Sequence, residues 1–463
     1  MRPMRKLILR SLLIIFLAAL SYGIYYAWLA FPIISGYGAK NLCSCTMLAG
    51  RKAEDVIREE LGSGLQSLGT FSVNYADSSA TASVFGLAKR KAIYRKGLGC
   101  TLVNEITEEE LRKQRWNVAA PPRVNQDTIP WPTGNKMPDS VNLFGYNLDL
   151  LNKTINDAFE ESGEEKNRRT RAVVVIHDGN LIAEKYADGF DQNTRLTGWS
   201  MTKSLTNAMM GVLVREGKIS VNDPAPIEAW KNDERNTITI HNLMQASSGL
   251  KWAEVYSGPS DATNMLFKKR DAGIYASQAP LQHKPGEVFY YSSGTTNILS
   301  YIIRQTVGDA EYHNFPYKNI FHKIGMNSMT IEPDPGGTFV GSSFSFATAR
   351  DWARFGLLCL NDGYWINERI LPEGWIEYST TPAKGAMKGE YGAQFWLNAG
   401  NPNDVADRNF PDVPSDMYYL SGFEGQDVVV IPSKNLVVVK LGLTSGNWVD
   451  MNAFLKDIIN AIP

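Results

Sequence analysis

Residues 198–204 read Gly-Trp-Ser-Met-Thr-Lys-Ser and place Ser200 and Lys203 three positions apart at the start of a predicted amphipathic helix. Side chains at positions i and i+3 of a helix lie on one face about one turn apart, so the lysine amine can reach the serine hydroxyl and accept its proton. Apolar residues at the helical period from Leu205 to Leu213 and a stop signal at Gly217 support this helix. The pattern predicts a covalent serine hydrolase with Ser200 as the nucleophile.

A second Ser-x-x-Lys match runs from Ser248 to Lys251, but a glycine follows its serine and a predicted helix, residues 241–246, precedes it. That context is typical of a helix end. Ser200 instead follows a predicted hairpin that turns at residues 178–180, and it opens a long helix. The local pattern also fits an N-cap serine beside a solvated lysine, so further motifs are needed to choose.

Two further motifs follow in order along the chain. Residues 291–293, Tyr-Ser-Ser, approach the motif Tyr-Ser/Ala-Asn, and residues 422–426, Gly-Phe-Glu-Gly-Gln, approach the edge-strand motif Lys-Thr-Gly or His-x-Gly. Together with Ser200 and Lys203, they make the chain resemble the serine β-lactamase-like family, which includes penicillin-binding proteins, class C β-lactamases, esterases and aminohexanoate-dimer hydrolases. The resemblance extends from about Thr170 to the C-terminus.

The resemblance implies an α+β fold, in which an antiparallel sheet is flanked by helices and an all-helical subdomain is inserted. It also implies that Lys203, when neutral, is the base and that Tyr291 passes protons to the leaving group and from the attacking water. The backbone N–H groups of Ser200 and Gln426 would form the oxyanion hole. The side chains or backbone expected to contact the substrate are those of Ser293, Phe423, Glu424, Gly425 and Tyr256.

Two departures from the family pattern bear on the substrate. Phe423 and Glu424 stand where β-lactamases and D,D-peptidases usually offer a cation and a hydroxyl to a carboxylate, and Ser293 replaces an asparagine that helps to hold the acyl side chain. The predicted substrate is therefore a small-molecule or peptide-like ester or amide with an apolar or neutral acyl group. Two alternatives stay open: a penicillin-binding-like sensor of a cell-envelope ligand without efficient turnover, and a true β-lactamase or D,D-peptidase.

The composition argues against other chemistries. Lys plus Arg number 47 against 48 Asp plus Glu, so no basic surface for nucleic acid is expected. The five histidines are scattered, without His-Glu-x-x-His or paired Cys/His spacing, and no phosphate-binding glycine loop is found. We therefore expect no metal, no cofactor and no nucleic-acid partner.

The N-terminus carries a predicted membrane anchor. Four basic residues within residues 1–10 precede an uncharged apolar run, residues 11–34, which at 1.5 Å per residue is long enough to cross about 30 Å of hydrocarbon. The basic end should stay in the cytoplasm, which places a single-pass protein in the cytoplasmic (inner) membrane with its catalytic domain facing the periplasm or the outside. A cleavable signal peptide is the alternative, with Ala19-Leu20-Ser21 as its cleavage site, but the apolar run is longer than a signal core.

Beyond the anchor, we predict an extracytoplasmic extension over residues 35–145 and the hydrolase domain over residues 146–463. In an oxidising compartment either Cys43 or Cys45 could pair with Cys100, closing a loop of about 55 residues worth roughly 4 kcal/mol. Cys359, among leucines, is expected to be a buried free thiol. The alternative is that all four cysteines are reduced.

Overall fold

A computed structural model of the chain describes residues 2–161, 167–401, 404–444, 446 and 448–463; Met1, in the predicted cytoplasmic tail, lies outside the described residues. The architecture is α+β, which confirms the predicted class. The helices are α1 (Arg2–Cys43), α2 (Ala53–Glu59), α3 (Glu108–Lys113), α4 (Leu148–Phe159), α5 (Thr202–Arg215), α6 (Ile240–Met244), α7 (Asp261–Lys268), α8 (Ala272–Ser277), α9 (Ser293–Val307), α10 (Asp309–Tyr312), α11 (Ala349–Leu360), α12 (Trp375–Thr380) and α13 (Met451–Ala461). The strands are β1 (Gly69–Asn74), β2 (Ser79–Val84), β3 (Leu87–Arg95), β4 (Gly99–Leu102), β5 (Thr170–His177), β6 (Asn180–Tyr186), β7 (Leu196–Thr197), β8 (Thr330–Ile331), β9 (Ser345–Ala347), β10 (Tyr364–Trp365), β11 (Glu368–Arg369), β12 (Trp396–Leu397), β13 (Tyr418–Gly422), β14 (Gln426–Ile431) and β15 (Leu436–Gly442).

The main sheet has six antiparallel strands in the order β12-β13-β14-β15-β5-β6. Its central pairing joins β5 to β15, with Val174 opposite Val439. A strand from the start of the catalytic part therefore lies next to a strand from its C-terminal end. Strands β5, β14 and β15 are buried along their whole length because helices cover both faces, with α11 on one face and α4 and α13 on the other. Their uninterrupted valine-rich sequences are typical of strands buried on both faces.

An all-helical part, α5 to α10, is inserted between β7 and β8, as predicted. The expectation that α5 is amphipathic was wrong, because its residues 202–213 are all buried. Polar side chains on this helix are tolerated there because they have partners inside the protein: Thr206 Oγ1 donates to Gly341 O at 2.9 Å, and Asn207 Nδ2 donates to Ala393 O at 2.7 Å.

Helix α1 is continuous from the predicted anchor into the body of the protein. Its large apolar side chains are exposed as far as Trp28, and from Ala30 onward most of the helix is buried. The exposed part is long and apolar enough to cross a membrane by length and composition. The buried part packs against the small sheet β1-β2-β3-β4 and shares one hydrophobic core with the catalytic part.

The end of α1 is tied to the protein by two connections. A disulfide joins Cys43 to Cys100, which confirms one of the two predicted pairings, while Cys45 and Cys359 are buried free cysteines. Lys40, 3% exposed, forms an ion pair with Glu332, which is fully buried. Glu332 also accepts a hydrogen bond from Ser44 Oγ at 2.9 Å, so its carboxylate is the polar centre of this contact.

Candidate active site

Ser200 lies in a short 3-10 turn, Trp199–Met201, between β7 and α5. The preceding residue, Trp199, has φ of 44°, a left-handed conformation that costs energy for a bulky residue. Packing of the indole compensates for this cost: it stacks on Tyr37 with ring centroids 5.9 Å apart and meets Phe423 edge-on at 5.9 Å. The sharp turn directs Ser200 into a cleft.

Lys203 lies beside the serine, as the spacing predicts. Its Nζ is 3.1 Å from Ser200 Oγ, 3.0 Å from Ser293 Oγ and 3.2 Å from Ser342 O. The side chain is 2% exposed, so bulk water does not compete for these contacts. An amine in this position can exchange a proton with the Ser200 hydroxyl directly.

Ser293 connects Lys203 to a carboxylate that the sequence analysis missed. Ser293 Oγ donates to Glu254 Oε1 at 2.5 Å, its N–H donates to Glu254 Oε2 at 3.0 Å, and Tyr256 Oη donates to Glu254 Oε1 at 2.7 Å. Glu254 belongs to a loop 39 residues before Ser293, and no motif marked it. Lys203, Ser293 and Glu254 thus form a hydrogen-bonded chain behind the nucleophile.

The buried position of Ser293 contradicts its predicted contact with substrate. The residue is 0% exposed and has all its observed partners within the protein. It therefore positions Lys203, in the place where the family pattern has an asparagine amide.

Tyr291 lies on the other side of Lys203. Lys203 Nζ is 4.6 Å from the centre of the phenol ring, which stacks on Trp396 at 5.1 Å and meets Tyr391 edge-on at 5.8 Å. In the described part of the chain none of the observed hydrogen bonds involves the Tyr291 hydroxyl. The ring packs against the amine and can stabilise its protonated form by a cation–π contact, and the role of the hydroxyl in proton transfer stays a prediction.

The third motif does not lie on an edge strand, which corrects the expected placement. Phe423, Glu424 and Gly425 form the loop between β13 and β14, whose last paired residues are Gly422 and Gln426. Glu424 and Gly425 have φ of 64° and 73°, so the turn needs two left-handed residues, and the side chain of Gln426 donates to the carbonyl oxygens of Phe423 at 3.3 Å and Glu424 at 3.1 Å. Gln426 is 1% exposed and holds the loop from inside.

Gly422 brings this loop to the nucleophile. A Cβ at Gly422 would lie 2.3 Å from Gly198 O and 3.2 Å from Trp199 Cβ, so only glycine permits this approach. Phe423 follows directly and lines the cleft together with Ser200. Among the described residues, none of the observed hydrogen bonds has the Phe423 N–H as donor.

The cleft has a volume of about 420 Å³. Of the residues predicted to contact substrate, Tyr256, Phe423 and Glu424 line it beside Ser200, whereas Ser293 and Gly425 are not part of its wall. A second part of the wall was not predicted: it comes from Ala30, Ile33 and Ile34 of α1. The exposed apolar run in the sequence gave no sign that its helix would continue into the active site.

Two acidic residues, Glu424 and Glu60, line the cleft. Burial raises the pKa of Glu424 to about 7, the nearby Glu60 raises it further, and Arg171 and Arg169 oppose the change. A group whose pKa is higher in the folded than in the unfolded state stabilises the fold below the unfolded pKa and loses that contribution as pH rises through the folded pKa. Glu424 should therefore stabilise the protein least above pH 7.

We expect the substitution Glu424→Gln to change the pH dependence. Because glutamine stays neutral, Tm of the variant relative to that of the parent should rise by a few degrees between pH 5 and pH 8. Turnover of a neutral ester relative to that of the parent should rise over the same range, because an ionised carboxylate in the cleft repels the developing oxyanion. Thermal unfolding and ester hydrolysis at matched pH values measure both. The same substitution at exposed Glu287 is the control and should leave the two profiles parallel to those of the parent. Parallel profiles for Glu424→Gln as well would contradict the assignment.

A serine beside a buried lysine on the wall of a cleft is an arrangement typical of acyl-transferring serine hydrolases. The β-lactamase family model matches residues 155–450, and the chain therefore belongs to the beta-lactamase family. The 6-aminohexanoate-dimer hydrolase of Paenarthrobacter ureafaciens is 24% identical over 328 residues, which cover 62% of this chain and 79% of that protein.

Solved structures show the same fold. A penicillin-binding protein homologue from Caulobacter crescentus superposes with a TM-score of 0.52 at 15% identity, covering 71% of this chain and 99% of that one. A family VIII carboxylesterase superposes with a TM-score of 0.51 at 15% identity, covering 68% and 95%. The fold of the catalytic part is thus β-lactamase-like, with amidase and esterase relatives in the family.

Proposed function

We propose that the protein is a membrane-anchored serine hydrolase that cleaves an ester or amide bond through an acyl-enzyme on Ser200. The observation that carries the proposal is the 3.1 Å contact between Lys203 Nζ and Ser200 Oγ beside an open cleft. A lysine that only stabilised the fold would not need to face a serine on the wall of a cavity.

In the first step Ser200 Oγ attacks the carbonyl carbon and its proton passes to Lys203. The developing oxyanion is stabilised by the backbone N–H groups of Ser200 and Phe423. Phe423 replaces the predicted Gln426 in this role, because Gln426 is paired with Gly422 between β13 and β14. The proton then passes to the leaving alcohol or amine as its bond to carbon breaks. Tyr291, whose ring packs against Lys203, is the candidate for this transfer.

In the second step water attacks the acyl-enzyme, its proton returns through the same groups, and the acid leaves as Ser200 is regenerated. The chain from Lys203 through Ser293 to Glu254 supports both steps because it fixes the neutral amine and then balances the positive charge that the amine gains with the proton from Ser200. The proposed role of Glu254 is to position these groups rather than to touch the substrate.

The relatives and the cleft favour a substrate other than a β-lactam. The name of the Paenarthrobacter ureafaciens relative specifies hydrolysis of a 6-aminohexanoate dimer. At the position of the third motif Phe423 is 55% exposed and Glu424 is acidic, so neither provides a cation for a substrate carboxylate. A lost charge-assisted hydrogen bond corresponds to about tenfold or more in affinity.

The anchor is part of the proposal. The apolar side chains of α1 from Leu7 to Trp28 are exposed to the surroundings of the protein, and a lipid bilayer is the environment in which such a surface is stable. The basic residues before the span favour a cytoplasmic N-terminus and an outward catalytic part. The disulfide at the end of α1 agrees with an oxidising compartment.

Substrate preference tests the proposal. The full chain in detergent should hydrolyse p-nitrophenyl butyrate measurably and should turn over penicillins and cephalosporins at least about tenfold less efficiently, because Phe423 offers no cation. Phe423→Lys should raise β-lactam acylation relative to ester hydrolysis, and Phe144→Lys, at another exposed phenylalanine, should not. Efficient penicillin turnover by the parent would assign it to the β-lactamases instead.

A further inference from the structure

The wall of the active-site cleft includes the helix that we propose as the membrane anchor. Ala30, Ile33, Ile34 and Tyr37 line the cleft, and positions i, i+3, i+4 and i+7 form one face of a helix. Ser200 lines the same cavity. The apolar face of α1 and the nucleophile Ser200 thus line the same cavity.

The cleft begins where α1 leaves its exposed stretch. Trp28 is 79% exposed and Ala30 is 8% exposed, so two residues, or about 3 Å of helix rise, separate the exposed surface from the cavity wall. The loop that carries Tyr256 also reaches this level, since a Cβ on Gly258 would lie 2.6 Å from Tyr26 Oη. Amphipathic tyrosines and tryptophans are typical of the membrane interface, which places the mouth of the cleft at that interface.

Helix α7 packs against α1 and adds a second apolar part of the cleft wall. Leu266 and Phe267 of α7 are 6% and 3% exposed overall, yet both contribute to the cavity surface. Polar residues line other parts of the same cavity, among them Ser200, Glu424, Glu60 and Ser343. A molecule that fits this distribution has a hydrocarbon chain on one side of a reactive carbonyl.

Exposed apolar side chains surround the place where α1 enters the protein. Leu65, on the cleft wall, is 51% exposed, and Phe85, whose ring centroid is 6.0 Å from that of Phe31 in α1, is 69% exposed. Val255, next to the cleft residue Tyr256, is 49% exposed. These residues form an apolar rim that a bilayer surface would cover.

We infer that the substrate of Ser200 is a membrane-resident amphiphile, an ester or amide of a long-chain acid, whose acyl chain enters the cleft from the adjacent leaflet along α1 and lies against the apolar wall that α1 and α7 form together. The inference rests on the proposed hydrolase function. The chain moves from lipid into an apolar cavity without crossing water, so its transfer costs little. Ser200 Oγ bonds to the acyl carbon as the bond to the leaving alcohol or amine breaks, and water then releases the fatty acid.

Chain-length selectivity tests the inference. The full chain is placed in phosphatidylcholine nanodiscs, and kcat/KM is compared for p-nitrophenyl dodecanoate and p-nitrophenyl acetate. We expect the parent to prefer dodecanoate, and Ala30→Trp to reduce the dodecanoate-to-acetate ratio by about tenfold or more, which corresponds to the lost contacts of two methylenes. Ala19→Trp, the same substitution on the exposed part of α1, should leave the ratio unchanged. An unchanged ratio in Ala30→Trp, or acetate turnover without dodecanoate turnover, overturns the inference.

Photo-crosslinking gives a second measurement that does not depend on turnover. Ser200→Ala in nanodiscs is irradiated with the p-nitrophenyl ester of a diazirine-bearing hexadecanoic acid. We expect label on α7, Asp261–Lys268, whose buried apolar residues Leu266 and Phe267 line the cleft. Label confined to the exposed part of α1 overturns the inference even when acetate is hydrolysed. If α7 is labelled in Ser200→Ala but the parent hydrolyses neither ester, the cleft binds an acyl chain and the proposed hydrolase function is overturned.

Discussion

Replacing Ser200 by alanine should reduce ester hydrolysis by about 10⁴-fold or more, since loss of a nucleophile leaves only the catalysis supplied by binding and the oxyanion donors. A fluorophosphonate probe, which reacts with activated serines, should label the parent and not the variant. Lys203→Met should lower both signals as well, because the only amine within 3.1 Å of Ser200 Oγ among the described residues is then absent. Intact-mass analysis of the labelled protein measures the stoichiometry.

The second Ser-x-x-Lys match is the matched control for this experiment. Ser248 is 4% exposed and its hydroxyl accepts from Leu250 N–H at 3.3 Å, within the turn that follows α6. Ser248→Ala should therefore leave both labelling and hydrolysis close to the parent values. A label that stays on the Ser200→Ala protein, or one that disappears with Ser248, would show that the nucleophile had been assigned to the wrong serine.

Replacing Glu332 by glutamine should lower the free energy of unfolding by about 3–5 kcal/mol, because it removes one partner of a buried ion pair and leaves the other charge uncompensated. Lys40 is 3% exposed and Glu332 fully buried, so water cannot replace the lost carboxylate. Burial lowers the pKa of Lys40 and the carboxylate of Glu332 counteracts that change. Denaturant unfolding of the full chain in detergent, with the disulfide intact, measures the loss.

An exposed ion pair is the control. Lys113 and Glu109 lie four residues apart with side chains 72% and 77% exposed, so Glu109→Gln should leave the unfolding midpoint nearly unchanged. The double substitution of Lys40 by Met and Glu332 by Leu should recover part of the loss, since it removes the buried charge together with its partner. If Glu332→Gln unfolded like the parent, the ion pair would not be what holds the end of α1.

Local chemistry accounts for what could be predicted about the site. The i, i+3 spacing of Ser200 and Lys203 brings the two groups together in any helical turn, so their contact needs no knowledge of distant residues. Tyr291 was placed near Lys203 by its motif, and the structure brings it there through its ring rather than its hydroxyl. Glu254 could not be predicted, because its contacts with Ser293 depend on how a loop folds against α9.

The third motif shows the same limit. Its residues were recognised in the sequence, but whether they lie on a strand or in a turn depends on the pairing of Gly422 with Gln426 across the loop. The consequence is chemical: the turn directs Phe423 toward Ser200 and directs the side chain of Gln426 into the protein. A one-residue difference in register changes which N–H faces the cleft.

The amino-acid sequence alone predicted the apolar span, a disulfide from Cys43 or Cys45 to Cys100, and Ser200 and Lys203 as nucleophile and base, because composition and residue spacing are local properties of the chain; its motifs predicted the α+β class through the family resemblance. Packing in three dimensions specified the rest. It selected Cys43 over Cys45, joined Glu254 to Ser293, and made Ala30, Ile33 and Ile34 a wall of the cleft. These contacts join residues from 39 to more than 160 positions apart, and their geometry follows from how whole elements pack, which no local pattern encodes.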